Sequence, residues 1–325
     1  MRILAKGWQL AALGGNSVAL EWGDPGAGVW VQRLLGCHPC AASSVPVAVY
    51  RLHSDPVAGG LTVFGGADCL YRGSDPAGGA HLVMDAMMHV WTRSCRDGLM
   101  LHAALMSKQG RGLMIGGASG AGKSSLAAWL IQQGWTYHGD EQMFADAGDL
   151  HWEGFVRPLC FKGDWAAMFP ALVTRPESMP MVAGQTLVAA NVFGQQIQPQ
   201  EAAEKLVEIA SCGRGSEPTA RAISSLPSRD RRFSAASQAS IRPGIMLFPT
   251  FRKGSDFSLR RLPAGQAAIR LAKSILNGGN LIHRGVAQAA GIARSCPGFD
   301  MAYGDFDQLA PLLQLLDVSV NKAQP

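Results

Sequence analysis

Apolar and polar residues follow two different patterns along this chain, and the change between them falls near residue 98. Before that point, short apolar runs alternate with turns rich in glycine and proline, a pattern typical of β-strands. The runs predict strands at 17–22, 29–34, 45–52 and 60–64, and apolar residues at helical spacing then predict a helix at 84–96. The first part of the chain is therefore predicted to be a small β-rich domain.

From residue 98 onward the pattern indicates alternating strands and helices. An apolar run at 113–117 ends in glycines, a helical pattern covers 123–133, and a second strand is predicted at 135–138. Strand, glycine loop, helix and strand begin an α/β unit. A strand at 244–250 and helices at 264–276, 281–294 and 305–316 are predicted further on. We therefore predict an N-terminal domain with a linking helix at 1–97, an α/β domain at 98–317 and a tail at 318–325.

Composition supports a folded chain outside the membrane. Apolar residues make up 47% and charged residues 16%, so the chain can bury a sizeable core. No apolar run is long enough for a membrane span, and Gln9 and Asn16 interrupt the segment where a signal peptide would lie. We expect a cytoplasmic protein with no membrane partner.

The seven cysteines form no regular framework, which is typical of a reducing compartment. Cys37 and Cys40 form a single CxxC pair. Half of a zinc site, a redox pair and two thiols in a turn are all open interpretations of this pair.

Positive charge is concentrated late in the chain. The formal net charge is +5, and the segment 211–261 holds ten Lys or Arg against three acidic residues. Such a segment suits a phosphate or an acidic peptide, although an ordinary solvated surface is the alternative. Nucleic acid is not expected as a partner, because no aromatic residues are interleaved at a recognisable spacing.

The clearest motif is the glycine-rich loop at 117–124, which fits the phosphate-binding pattern GxxxxGK[ST]. Glycines let the backbone N–H groups turn inward around an anion, and the following helix adds the positive end of its dipole. The lysine can reach the β- and γ-phosphates of ATP, and the next hydroxyl can ligate Mg²⁺. The predicted nucleotide-binding residues are Gly117, Ser119, Gly120, Ala121, Gly122, Lys123, Ser124 and Ser125.

Two acidic residues follow the strand after this loop. Asp140 and Glu141 lie where a returning strand can bring its end toward the phosphates. One carboxylate can then hold Mg²⁺ and the other can accept a proton from an alcohol acceptor. A charged turn without function is the alternative.

At these residues the chain resembles the HPr serine kinase/phosphorylase family. It is most similar to the HPr-kinase-like enzymes of bacterial peptide-modification clusters, some of which are lasso peptide kinases. The resemblance covers 98–165 well and 244–317 loosely. It is carried by Leu101-His102-Ala103-Ala104-Leu105, the loop at 117–125, Gly139-Asp140-Glu141, Arg157-Pro158-Leu159, Phe248-Pro249 and Tyr303-Gly304-Asp305.

The resemblance implies a P-loop fold of the HPr kinase C-terminal domain and phosphoenolpyruvate carboxykinase type. It implies transfer of the γ-phosphoryl group of ATP to a serine, with Asp140 as the base and a ribosomally made precursor peptide as the favoured substrate. It also implies that Glu141 and Ser124 hold Mg²⁺ and that His102 lies near the transferred phosphate. The residues implied to contact phosphate or substrate are Arg157, Lys162, Arg252 and Lys253.

Other interpretations of the same residues stay open. A small-molecule kinase on the same fold and a non-catalytic regulator that only binds nucleotide would both use the glycine loop. The glycine-rich segment that follows the metal site in HPr kinase is not evident here, which leaves open both phosphorylase activity and HPr itself as the substrate. A homo-oligomer is a further open possibility from the family.

Overall fold

The computed structural model describes residues 6–35, 45–55, 59–146, 148, 151–157, 159–162, 178–180, 185–188 and 241–321. The described residues up to Ser94 form one compact unit, and most of those from Cys95 onward form another. None of the helices in these ranges is long and apolar enough to cross a membrane.

The first unit is built on a five-stranded mixed sheet. Its strands lie in chain order, and only the second and third are parallel, joined by a helix. The elements are β1 (Gly7–Leu13), β2 (Asn16–Trp22), α1 (Pro25–Leu35), β3 (Ala48–Asp55), β4 (Gly60–Gly65), β5 (Asp68–Gly73) and α2 (Pro76–Ser94). The expected β-rich N-terminal region is confirmed.

Two of its elements differ from prediction because residues at their amino ends begin a helix earlier than the apolar pattern indicates. The strand predicted at 29–34 is wrong, since these residues belong to α1. Asp24 accepts a hydrogen bond from the Ala27 amide at 2.8 Å, and Pro25 occupies the first helical position, so capping overrides the β-branched residues that follow. In the same way, the Asp75 side chain accepts a hydrogen bond from the Ala77 amide. Helix α2 therefore begins at Pro76, well before the predicted start at residue 84. Strand β1 was not predicted.

The second unit is built around a six-stranded sheet. The described strands after Cys95 are β6 (Leu99–Leu101), β7 (Ala103–Lys108), β8 (Arg111–Gly116), β9 (Thr136–Gly139), β10 (Met143–Ala145), β11 (Trp152–Gly154), β12 (Leu159–Lys162), β13 (Ser178–Pro180), β14 (Gln185–Val188), β15 (Arg242–Phe251), β16 (Ser258–Leu262) and β17 (Gly298–Tyr303). The strand order in the six-stranded sheet is β16-β17-β15-β8-β7-β9. The helices are α3 (Lys123–Gln132), α4 (Ala264–Ala272), α5 (Val286–Ser295) and α6 (Ala310–Asn321).

Helices cover both faces of this sheet. Alternate residues of the central strands point to opposite sides, with Leu113 and Ile115 in one apolar cluster and Met114 in the other. The first cluster contains apolar residues of α3 and α6, and the second contains those of α4 and α5. The fold is therefore mixed α/β, as the alternation of strands and helices predicted.

The directions of the strands bring several loops to one edge. Strands β8, β15 and β17 are parallel, while β7 is antiparallel to both β8 and β9. The carboxyl ends of β8, β9, β15 and β17 therefore lie at the same edge, together with the start of β7. Ligands of open α/β sheets bind at such an edge.

The helices predicted in the second unit are present, but several of their ends differ from prediction. The helix predicted from 281 starts only at Val286, because His283 and Arg284 have φ values of 48° and 55°. The helix predicted to end at 316 continues to Asn321, into the expected tail. Of the strands described in this unit, only β8, β9 and β15 were predicted. Residues 211–240 of the basic segment lie outside the described residues.

Candidate functional site

The glycine-rich loop connects β8 to α3 at the edge where the strand ends meet. Gly117, Gly120 and Gly122 have φ values of 143°, 82° and 92°, which side chains on an L-residue rarely allow. A Cβ on Gly122 would lie 2.8 Å from the Tyr303 Oη and 3.0 Å from the Phe251 Cβ, so the end of β17 and the end of β15 both pack against the loop. The motif thus requires glycine for conformation and for space.

The loop presents the amino end of α3 without a capping side chain. The first amides of a helix have no partner within the helix, and an anion can accept hydrogen bonds from them. The Ala121 carbonyl oxygen accepts a hydrogen bond from the Phe251 amide at 3.3 Å, which ties the loop to the end of β15. Ser119, Ala121, Ser124 and Ser125 occupy the places that the motif predicted for them, on the loop or the first turn of α3.

Lys123 lies folded over its own loop. Its side chain is only 6% exposed, and Nζ donates to the carbonyl oxygens of Gly117 at 2.9 Å and Ala118 at 3.1 Å. A charged ammonium that bonds neutral carbonyls can exchange them for phosphate oxygens, which form stronger charge-assisted bonds. The lysine is therefore positioned where the motif requires it.

Asp140 follows β9 and is 1% exposed. Its Oδ1 accepts a hydrogen bond from the Tyr137 hydroxyl at 3.0 Å and lies 3.9 Å from Nε of Arg157. Burial raises the pKa of the Asp140 carboxyl, whereas the Arg157 charge and the side chain of the nearby Ser124 lower it. Asp140 thus lies beside the hydroxyl of the phosphate loop, although the two are distant in sequence.

Gly139 permits this placement of the acid. Its φ is 144°, and a Cβ there would lie 2.4 Å from the carbonyl oxygen of Phe155. The backbone before Asp140 is consequently in close contact with the segment that carries Arg157. Any larger residue at 139 would displace one of the two.

His102 and Glu141 form a second, more accessible pair. The His102 Nδ1 lies 3.1 Å from the Glu141 carbonyl oxygen and 3.5 Å from its Oε1, with side chains 28% and 40% exposed. Burial and the Lys123 charge lower the pKa of His102, and the Glu141 carboxylate opposes them. The His102 amide donates to the Ser274 carbonyl at 2.8 Å, which fixes the start of β7.

The remaining predicted residues are distributed unevenly. Arg157 is 4% exposed and lies behind Asp140 rather than on the surface. Arg252 and Lys253 are exposed in the loop after β15, at the same edge as the phosphate loop. Lys162 ends β12, but its side chain, like Cys37 and Cys40, lies outside the part of the chain that is described.

Two tyrosines near the site were not predicted. Tyr137 bonds Asp140, and the Tyr303 hydroxyl is buried against Gly122 with no hydrogen-bond partner within the described residues. A tyrosine in an apolar strand predicts a side chain packed in the core. Only the tertiary contacts show that these hydroxyls lie next to the site.

The site offers oxygen ligands of the kind that Mg²⁺ prefers. These are the Ser124 hydroxyl and the carboxylates of Asp140 and Glu141, and Oδ2 of Asp140 is buried without a hydrogen-bond partner in the described residues. No three His, Cys, Asp or Glu side chains converge as a metal cage in the described ranges. Mg²⁺ normally combines one or two protein carboxylates with substrate phosphates and water, so these residues fit it.

Comparison with models of protein families and with curated proteins finds no match to this chain.

Proposed function

We propose that this chain is an ATP-dependent kinase that transfers the γ-phosphoryl group to a serine hydroxyl, on a fold of the HPr kinase and carboxykinase type. The observation that carries the proposal is the meeting of four features at one sheet edge: the glycine loop, Lys123, the His102–Glu141 pair and buried Asp140. A site that only bound nucleotide would need the glycine loop and Lys123. The His102–Glu141 pair and Asp140 supply the acid–base and metal-binding groups that phosphoryl transfer requires.

Nucleotide binding rests on the loop and on Lys123. The inward-facing amides and the amino end of α3 would hold the phosphates, and Lys123 would leave the carbonyls of Gly117 and Ala118 to contact the β- and γ-phosphates. Bound Mg²⁺ would neutralise charge on the transferred phosphoryl group. Ser124 and Asp140 would hold it, since their side chains lie together.

Glu141 is the better-placed base for an incoming alcohol. Its side chain is partly exposed next to His102, whereas Asp140 is enclosed by Tyr137 and Arg157. The serine oxygen would attack the γ-phosphorus, the bond from phosphorus to the bridging oxygen of ADP would break, and Glu141 would receive the hydroxyl proton. This division of roles is the reverse of the one that the family resemblance implies, in which Asp140 is the base.

The favoured acceptor is a serine in a peptide. Arg252 and Lys253 are exposed at the same edge and would attract an acidic or phosphorylated substrate. The peptide, and a ribosomally made precursor in particular, rests on the family resemblance.

Variants of the two acids separate the roles. Glu141→Gln should bind Mg·ATP with unchanged Mg²⁺ dependence but lose transfer, whereas Asp140→Asn should need more Mg²⁺ for both. Fluorescent-nucleotide titrations against Mg²⁺ and single-turnover transfer from labelled ATP measure the two effects. Normal Mg²⁺ dependence in Asp140→Asn together with lost transfer would restore Asp140 as the base. Full transfer in both variants would exclude a catalytic role for the acidic pair.

A further inference from the structure

We propose that the Tyr137 hydroxyl and the Arg157 guanidinium are positioning groups that hold Asp140 by one oxygen and direct its other oxygen to the Mg²⁺ of the bound nucleotide. The inference rests on the proposed nucleotide site. It assigns to Tyr137 a role that neither the motif nor the resemblance suggested, and it changes Arg157 from a substrate contact to a support of Asp140.

Both positioning groups contact the same carboxylate oxygen. The Tyr137 hydroxyl lies 3.0 Å from Oδ1 of Asp140 and 3.1 Å from the Arg157 carbonyl oxygen, and these two acceptors share its single proton. The hydroxyl therefore links the end of β9 to the segment before β12. Nε of Arg157 lies 3.9 Å from the same Oδ1. All three residues are buried.

The second oxygen has a different environment. Oδ2 of Asp140 has no hydrogen-bond partner in the described residues, although the atom is buried. A buried carboxylate oxygen without a partner is costly unless something occupies the position it faces. Hydrogen bonding from the Ser124 side chain lowers the pKa of the same carboxyl, so a cation that occupied the position facing Oδ2 would also be near the Ser124 hydroxyl.

Fixing one oxygen sets the orientation of the other. A carboxylate can rotate about its terminal bond, and this torsion is broad in aspartate. The Tyr137 hydrogen bond and the Arg157 charge, 3.9 Å away, both favour one orientation of the carboxyl and so restrict that freedom, which pre-organises Oδ2 for metal. Groups that orient a metal ligand typically change metal affinity or activity about 10- to 100-fold when removed.

The test is the Mg²⁺ dependence of nucleotide binding by Tyr137→Phe, measured with a fluorescent ATP analogue and no acceptor. Phenylalanine keeps the ring in the core and removes only the hydroxyl. We expect about a tenfold higher Mg²⁺ requirement, with unchanged nucleotide affinity in the absence of Mg²⁺. Tyr50→Phe removes the hydroxyl of another buried tyrosine, in the first unit, and is the matched control.

A double variant shows whether Tyr137 acts through Asp140. In an Asp140→Asn background, Tyr137→Phe should have no further effect on the Mg²⁺ requirement. An unchanged Mg²⁺ requirement in Tyr137→Phe, or an equal effect in both backgrounds, would overturn the inference and leave the proposed kinase standing. Failure of the unmodified chain to bind nucleotide would overturn both. Arg157→Lys, which retains the charge but changes the contact, gives a second measurement if Tyr137→Phe does not fold.

Discussion

Replacing His138 with glutamine should remove a specific sensitivity of this fold to acid. His138 lies on β9, where its Nε2 is 2.8 Å from the Ser107 hydroxyl of β7. The backbone of β11 covers it so closely that a Cβ on Gly154 would lie 2.8 Å from the His138 Cβ. Burial lowers the pKa of His138 from 6.5 to about 4, so the folded chain holds this imidazole neutral.

The size of the effect follows from the two pKa values. The unfolded chain binds the proton more readily than the folded chain, so stability is complete above pH 6.5 and is lost as the pH falls toward 4. The loss is about 2 kcal/mol at about pH 5 and approaches about 3 kcal/mol at lower pH, because each pKa unit is worth about 1.4 kcal/mol.

Urea unfolding at a series of pH values measures this loss. His138→Gln should be less stable near neutral pH, where a partly buried hydrogen bond is altered, but its stability should fall less steeply in acid. The difference between the two curves isolates His138, because other titrating groups contribute to both. Leu105→Val, a buried change on the neighbouring β7, should shift the curve in parallel by about 1 kcal/mol. Parallel curves for His138→Gln would refute the assignment of a neutral buried histidine.

Three further variants test the site and its support. Lys123→Ala should weaken ATP binding about 10- to 100-fold in a fluorescent-nucleotide titration, because a charge-assisted contact is worth about 1.5–3 kcal/mol, and unchanged affinity would count against the loop. Gly122→Ala should lower the free energy of unfolding by about 1–3 kcal/mol in urea. Adding Tyr303→Phe should recover part of this loss, because it removes the oxygen nearest the new methyl group. Unchanged stability in Gly122→Ala would contradict the geometry. Asn277→Ala should destabilise the second unit by about 3 kcal/mol in the same assay, since its amide bonds three buried backbone groups around β6, and a loss below about 1 kcal/mol would show that they find other partners.

The strand–loop–helix core of the site could be predicted because its signals are local. Glycines at fixed spacing, an apolar strand before them and helical periodicity from Lys123 require no knowledge of distant residues. The sequence offered the approach of Asp140 to the phosphate loop as one of two interpretations and could not choose between them. That approach depends on β7 lying between β8 and β9 in the sheet, and strand order is a property of the whole fold.

The errors have equally physical causes. In α1, a capping aspartate and a following proline start a helix whose later residues, from Val29, look like a strand. Strand β17 was missed although it pairs with both β15 and β16, because its Gly and Asp residues interrupt the apolar run. Tyr137 was missed because its hydroxyl matters only once Asp140 and Arg157 are beside it.

Transfer of labelled phosphate from ATP tests the central claim most directly. The chain is incubated with Mg²⁺, ATP labelled at the γ-position and a library of serine-containing peptides, next to an identical library with alanine in place of serine. The account predicts label on serine in the first library, none in the second, and loss of labelling in Glu141→Gln. Tight binding of ATP with no label transferred to peptides or to small alcohols would contradict the account and favour a nucleotide-binding regulator.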